Sequence, residues 1–216
     1  MDNEQIKALR QFTDNDLRKL NGLKKMCSFS ELKETDVTGL LKDYNTLCGT
    51  DRGLWAIFGK GKGIDNWTCL HVGSSKDIKS ELLEIFKLMI SEPKEKKKST
   101  TFHKEVYDFW TYMDKTSQKY RSMYNLCKKF VVFEIDIHKY LEGIDTGKYG
   151  RVEYAEVKFA YETKALYWNP APAMNGNKEK EIYKNEFVDP FYSESNMEPC
   201  AAAWKHSLPE NVWNMG

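Results

Sequence analysis

Residues 69–82 read Cys-Leu-His-Val-Gly-Ser-Ser-Lys-Asp-Ile-Lys-Ser-Glu-Leu. An apolar run stops at His71 and Gly73, passes through two serines and enters a charged stretch at once. A turn of that kind sets a few side chains beside the end of a strand. The imidazole of His71, with an unperturbed pKa of about 6.5, can take a proton near neutral pH. Lys76 and Lys79 follow it within eight residues and can offer positive charge to a phosphate. A larger store of cations lies at 94–129, which holds ten Lys or Arg against four Asp or Glu, a net of +6. Residues 130–216 hold nine against fourteen, a net of −5. Lys96, Lys97, Lys98, Lys104 and Arg121 are therefore candidate nucleic-acid contacts, although Lys94 to Lys98 alone read equally well as a solvated loop.

The whole chain of 216 residues has a net charge of only +1, so any nucleic-acid surface must be local. That length suits one domain with added segments. No run approaches the roughly 20 apolar residues that cross a bilayer, and the polar start, Met-Asp-Asn-Glu-Gln, carries no secretory pattern. Five widely spaced cysteines, Cys27, Cys48, Cys69, Cys127 and Cys200, include no C-x-x-C pair. They argue against structural zinc and for reduced thiols in a cytoplasmic protein.

The elements that must position these side chains follow from apolar periodicity. Ile6, Leu9 and Phe12, then Leu17, Leu20 and Leu23, then Leu40, Leu41 and Tyr44 predict two or three short helices over 1–48, with Asp14 and Ser30 as N-caps. Residues 53–59 and 67–72 read as a β-hairpin joined by a glycine-rich loop. Glycines 59, 61 and 63 form a turn better than a phosphate cradle. Asp77 to about Ile90 is an amphipathic helix with Ile78, Leu82, Ile85, Phe86 and Met89 on its stripe. A long helix is predicted from about Phe102 to Leu126, a third strand over 129–137, and a helix from about Val152 to Trp168. The fold class is thus α+β: a small, mainly antiparallel sheet of about three core strands flanked by helices. The expected organisation is a helical extension at 1–48, the α+β domain at 49–176 with a helical insertion near 92–128, and a wrapping tail at 177–216.

Three segments then line up: Gly53-Leu54-Trp55, His71-Val72-Gly73, and the helix running from Ser75 through Glu81 and Leu82. This order resembles the GIY-YIG nuclease family, whose two short motifs lie on the strands of such a hairpin. The resemblance covers about 53–82 well and 130–175 loosely, where Glu162 and Pro172-Ala173-Met174-Asn175 are similar to the family's metal-binding glutamate and later P-x-x-N. Glu156 with Asn169 has the same spacing and is the competing register. The resemblance implies a GIY-YIG-like fold and Mg²⁺ or Mn²⁺ held by Glu162. It also implies a water activated for attack on a phosphodiester and an arginine against the phosphate.

The departures are specific. Trp55 stands at the first motif's tyrosine, and indole cannot act as a base. His71 stands at the second, where imidazole can. Glu81 stands at the arginine position, eight residues after Gly73, and reverses the charge there. Lys76, Lys79, Arg121 or His103 would have to substitute. The resemblance therefore implies a nucleic-acid-associated protein in one of two forms. One is a divergent metal-dependent endonuclease, acting on DNA ahead of RNA. The other is a catalytically inactive module that binds nucleic acid or a protein partner. An unrelated α+β binding protein is the third class, since function belongs to the site and not the fold.

Overall fold

The computed structural model describes residues 10–47, 51–61, 66–92, 117, 119–147 and 150–168. The strands are β1 (Leu23–Phe29), β2 (Gly53–Lys60), β3 (Thr68–Ser75), β4 (Lys129–Ile135) and β5 (Tyr167–Trp168). They form one sheet in the order β1-β4-β2-β3-β5, antiparallel except for the short β3–β5 pairing. The helices are α1 (Asp14–Lys19), α2 (Glu34–Val37), α3 (Ile78–Ile90), α4 over 119–126, α5 (Ile137–Tyr140) and α6 (Arg151–Thr163). No described helix is long and apolar enough to cross a membrane.

The α+β class and the three core strands are as read from the sequence. β2 lies between β4 and β3 and is buried along its length, which is why its apolar residues run without alternation. Its side chains feed two cores. Trp55 and Ile57 join Ile78, Leu82, Phe86 and Met123 on one face, beneath α3 and α4. Leu54, Ala56 and Phe58 join Val72, Ala155 and Phe159 on the other, beneath α6. The first is called here the α3 face and the second the α6 face. α3 buries the expected stripe of Ile78, Leu82, Ile85, Phe86 and Met89, and Asp77 caps it by accepting from the Ser80 amide.

The helical extension expected over 1–48 is corrected within the described residues. α1 and α2 are there, but between them lies β1, the sheet's edge strand, paired from Leu23↔Ile135 to Phe29↔Phe130. The spacing of Leu17, Leu20 and Leu23 satisfies a helix locally, yet β4 supplies a ladder and a hydrophobic surface that outweigh it. Thr13, not Asp14, caps α1, through a reciprocal box with Asp16. The helix expected to reach Trp168 ends at Thr163, where Lys164 turns left-handed at φ 50°. That turn drops Tyr167 and Trp168 into register beside His71 and Val72. Of the expected long helix, the described part is α4; most of the insertion, and the tail at 177–216, lie outside the described residues.

Candidate functional site

β2 and β3 pair so that Trp55 stands opposite Gly73 and Ile57 opposite His71. Side chains opposite one another in an antiparallel pair share a face. Trp55 and His71 meet edge to face, 4.9 Å between centroids and 87° apart, both on the α3 face. Gly73 is required there, because a Cβ on it would stand 2.4 Å from Trp55 Cζ2. Tyr167 from β5 and Tyr120 from α4 close round the imidazole at 6.4 and 5.6 Å. His71 is left 3% exposed.

The partner of His71 is Lys119, whose Nζ lies 3.2 Å from Nε2. An ammonium only donates, so Nε2 accepts and the proton of the neutral ring sits on Nδ1. Burial, then the Lys119 charge, hold the His71 pKa well below 6.5. Burial brings the Lys119 ammonium down to about 8, against the pull of Glu81. Glu81 is pushed up by burial, opposed by Ser75, Trp55, Arg52 and Lys119. Trp55 Nε1 faces that carboxylate, yet makes no hydrogen bond of ordinary geometry. Trp55 Nε1, His71 Nδ1 and Tyr167 OH are the buried side-chain atoms without a partner among the described residues, and all three belong to this cluster.

Glu162 is elsewhere. Its carboxylate accepts from Tyr140 Oη at 2.6 Å and pairs with Lys158, and its carbonyl accepts from Arg10. Tyr140 packs edge-on against Phe159, so Glu162 belongs to the α6 face, with the sheet between it and His71. Glu156 comes nearer the motif. It is buried, and accepts from Ser74 Oγ at 2.6 Å one residue past Gly73, again on the α6 face. Among the described residues no three His, Cys, Asp or Glu side chains gather at cation-binding spacing. Magnesium asks for open carboxylate oxygens and room for its waters. Glu162, with both oxygens engaged, does not fit that demand.

The remaining candidates scatter. Gly53 begins β2, buried; Lys76 is exposed at the start of the β3–α3 turn, and Lys79 is half-buried on α3. Arg121 is spent in tying α4 to the end of α3, through Ser91 Oγ at 3.1 Å and the Glu92 carbonyl at 3.3 Å. Lys96, Lys97, Lys98, His103, Lys104, Asn169 and Asn175 lie outside the described residues. Two cations were missed in the sequence. Arg52, which binds the Ser74 carbonyl at 3.1 and 3.3 Å, precedes the first motif directly and could have been suspected from that place. Lys119 is one cation in a crowded stretch, and nothing in its spacing marks it.

A second region is open where this one is closed. Two adjoining grooves run over the β1–β4 side of the sheet, about 580 and 690 Å³. Arg18, Lys19, Lys24 and Lys139 line the first with Asp136; Arg18, Lys25 and Lys129 line the second with Asp14. Both acids are already engaged. Asp136 caps α5 and lies 3.8 Å from Lys139, while Asp14 accepts from Trp67 Nε1 at 2.6 Å and lies 3.7 Å from Lys60. Leu20, Leu23, Trp67 and Phe133 form the floor of the second groove.

No family model, curated protein or solved structure matches the chain.

Proposed function

We propose that the chain is a GIY-YIG-like module that binds nucleic acid and does not hydrolyse it. The observation that carries binding is the group of exposed cations along the two grooves, Arg18, Lys19, Lys25, Lys129 and Lys139, where the acids of the lining are Asp14 and Asp136. Phosphate contacts of this kind supply most non-specific affinity for nucleic acid. The loss of hydrolysis is supported by the motif end itself. A general base must reach its proton, and His71 is sealed under Trp55, Tyr120 and Tyr167 with its Nε2 lone pair turned to Lys119. A metal carboxylate must be on the same side, and Glu162 is across the sheet.

A second reading has one observation in its favour. Arg52 and Lys119 bring positive charge to the Glu81 carboxylate, where the charge reversal had argued against phosphate binding. That reading is a rebuilt endonuclease entered from the β2–β3 end. One experiment separates the two. Plasmid, single-stranded DNA and RNA are incubated with the protein and Mg²⁺ or Mn²⁺, and binding is measured in parallel without cleavage conditions. The proposal expects retention of nucleic acid with no cleavage. Cleavage that His71→Ala and Glu162→Ala both abolish would restore the endonuclease, and no binding to any substrate would end the nucleic-acid reading altogether.

A further inference from the structure

The groove over β1 and β4 has a floor that phosphate contacts alone do not explain. β1 and β4 turn Leu23, Lys25, Val131 and Phe133 to the α6 face, but α6 lies against β3 and β2 rather than β4. The β4 half of that face is therefore left as an apolar trough with cations along its rim. Lys25 and Phe133 are cross-strand partners, so an ammonium and an aromatic ring stand side by side. Lys129 is two pleats further along β4 on the same face, roughly 13 Å away at strand rise. Trp67 closes the trough from the far side.

Both rings are held before anything binds. Trp67 is pinned by its Nε1 hydrogen bond to Asp14 and by Lys60 Nζ, 4.5 Å from its centroid. The chain beside it is fixed by the reciprocal backbone bonds between Phe12 and Trp67, 2.8 Å each way. Phe133 packs edge-on to Phe58, 5.8 Å between centroids and 86° apart. Fixed rings spend little entropy when a ligand stacks on them.

We propose that this groove holds a single strand of DNA, with bases against Trp67 and Phe133 and phosphates on Arg18, Lys25 and Lys129. The proposal rests on the nucleic-acid reading above and narrows it to one occupant. A duplex keeps its bases stacked inside and would meet the cations but not the floor. A single strand offers bare base faces, and aromatic platforms between cations are how such strands are held without sequence preference. Ribose is the poorer fit at the Leu20–Leu23 end, since a 2′-hydroxyl laid against those two side chains gives up hydrogen bonds to water that they do not return.

The test uses the full-length chain and fluorescein-labelled 20-mers of one sequence as single-stranded DNA, single-stranded RNA and duplex DNA, by anisotropy across a salt series. Single-stranded DNA binds at least about tenfold tighter than the duplex. Lys25→Glu with Lys129→Glu weakens it tenfold or more and lowers the salt slope by about 1.4, from two lost contacts at about 0.7 each. Trp67→Leu and Phe133→Leu each weaken it about five- to hundredfold, from the loss of one stacked base. Thermal melts confirm folding, and the exposed lysine pair keeps the test informative should Phe133→Leu unfold the sheet. Equal or tighter binding of duplex or RNA overturns the assignment while leaving the nucleic-acid reading intact. Unchanged affinity in both ring variants overturns the groove as the site. No binding to any of the three probes overturns this proposal and the reading beneath it together.

Discussion

His71 and Phe133 stand on opposite faces of one sheet, each among aromatic rings and each beside a lysine. The outcomes differ because of what covers them. On the α3 face, α3, α4 and β5 close over His71, so Lys119 is buried with it, and burial before any neighbouring charge lowers the pKa of both. On the α6 face the covering helix lies over β2 and β3, so Lys25 and Lys129 keep their water and stay exposed. The same residue types thus become a structural knot in one place and an open, hydrated surface in the other. Desolvation is the deciding term: a buried cation is costly unless paired, whereas an exposed one costs nothing until it binds.

That comparison can be broken at several points. Trp55→Ala should have the largest effect, about 3–5 kcal/mol of stability, because a fully buried indole leaves a cavity roofed by the α3 and α4 core. A fall in urea midpoint with nucleic-acid affinity unchanged at low temperature would keep the two regions separate, and a parallel loss of affinity in the still-folded protein would join them. Gly73→Ala comes next, at about 1–3 kcal/mol, since its methyl would meet the Trp55 ring. The narrower ring of Trp55→Phe should recover part of that loss in the double variant; simple additivity would mean the clash is elsewhere.

The protonation of His71 gives a smaller, pH-dependent effect. The folded chain holds the imidazole neutral well below 6.5, while the unfolded chain takes up a proton there. Stability should therefore fall as pH drops below about 6.5, by up to about 1.4 kcal/mol per pH unit for the one proton. Glu81, raised in the folded state, offsets part of this as pH nears its ordinary range. Urea midpoints between pH 7 and 5.5 should fall less steeply in His71→Asn than in the parent. An unchanged slope would mean the ring is not held neutral. The smallest effect belongs to the open face. Lys25→Glu and Lys129→Glu, both exposed, should each move stability by less than about 0.5 kcal/mol while changing affinity. A large drop in melting temperature would show that the rim is structural after all.

β2, β3, β4 and α3 were readable in the sequence because their signals are local. Residues 53–59 and 130–133 are apolar without a break, and Ile78, Leu82, Ile85, Phe86 and Met89 repeat at helical spacing. Trp55 and Glu81 were also readable as departures from the residues that the resemblance implies, and both are packed into the Lys119 cluster. β1 was not readable, because the spacing of Leu17, Leu20 and Leu23 suits a helix and only the distant β4 makes it a strand. Nor could spacing choose between Glu156 and Glu162. Six residues on a helix change both height and face, and Ser74 and Tyr140, which decide where each carboxylate is held, lie far off in the chain.

The chain by itself determined the α+β class, the hairpin and the stripe of α3, all of which depend on neighbours within a turn or a strand. Only the tertiary structure decided that Lys119 would sit on His71, that Glu162 would be across the sheet, and that α6 would leave the β4 face open. Those facts rest on which surfaces exclude water from which charges, and that is settled by contacts between residues scores of positions apart.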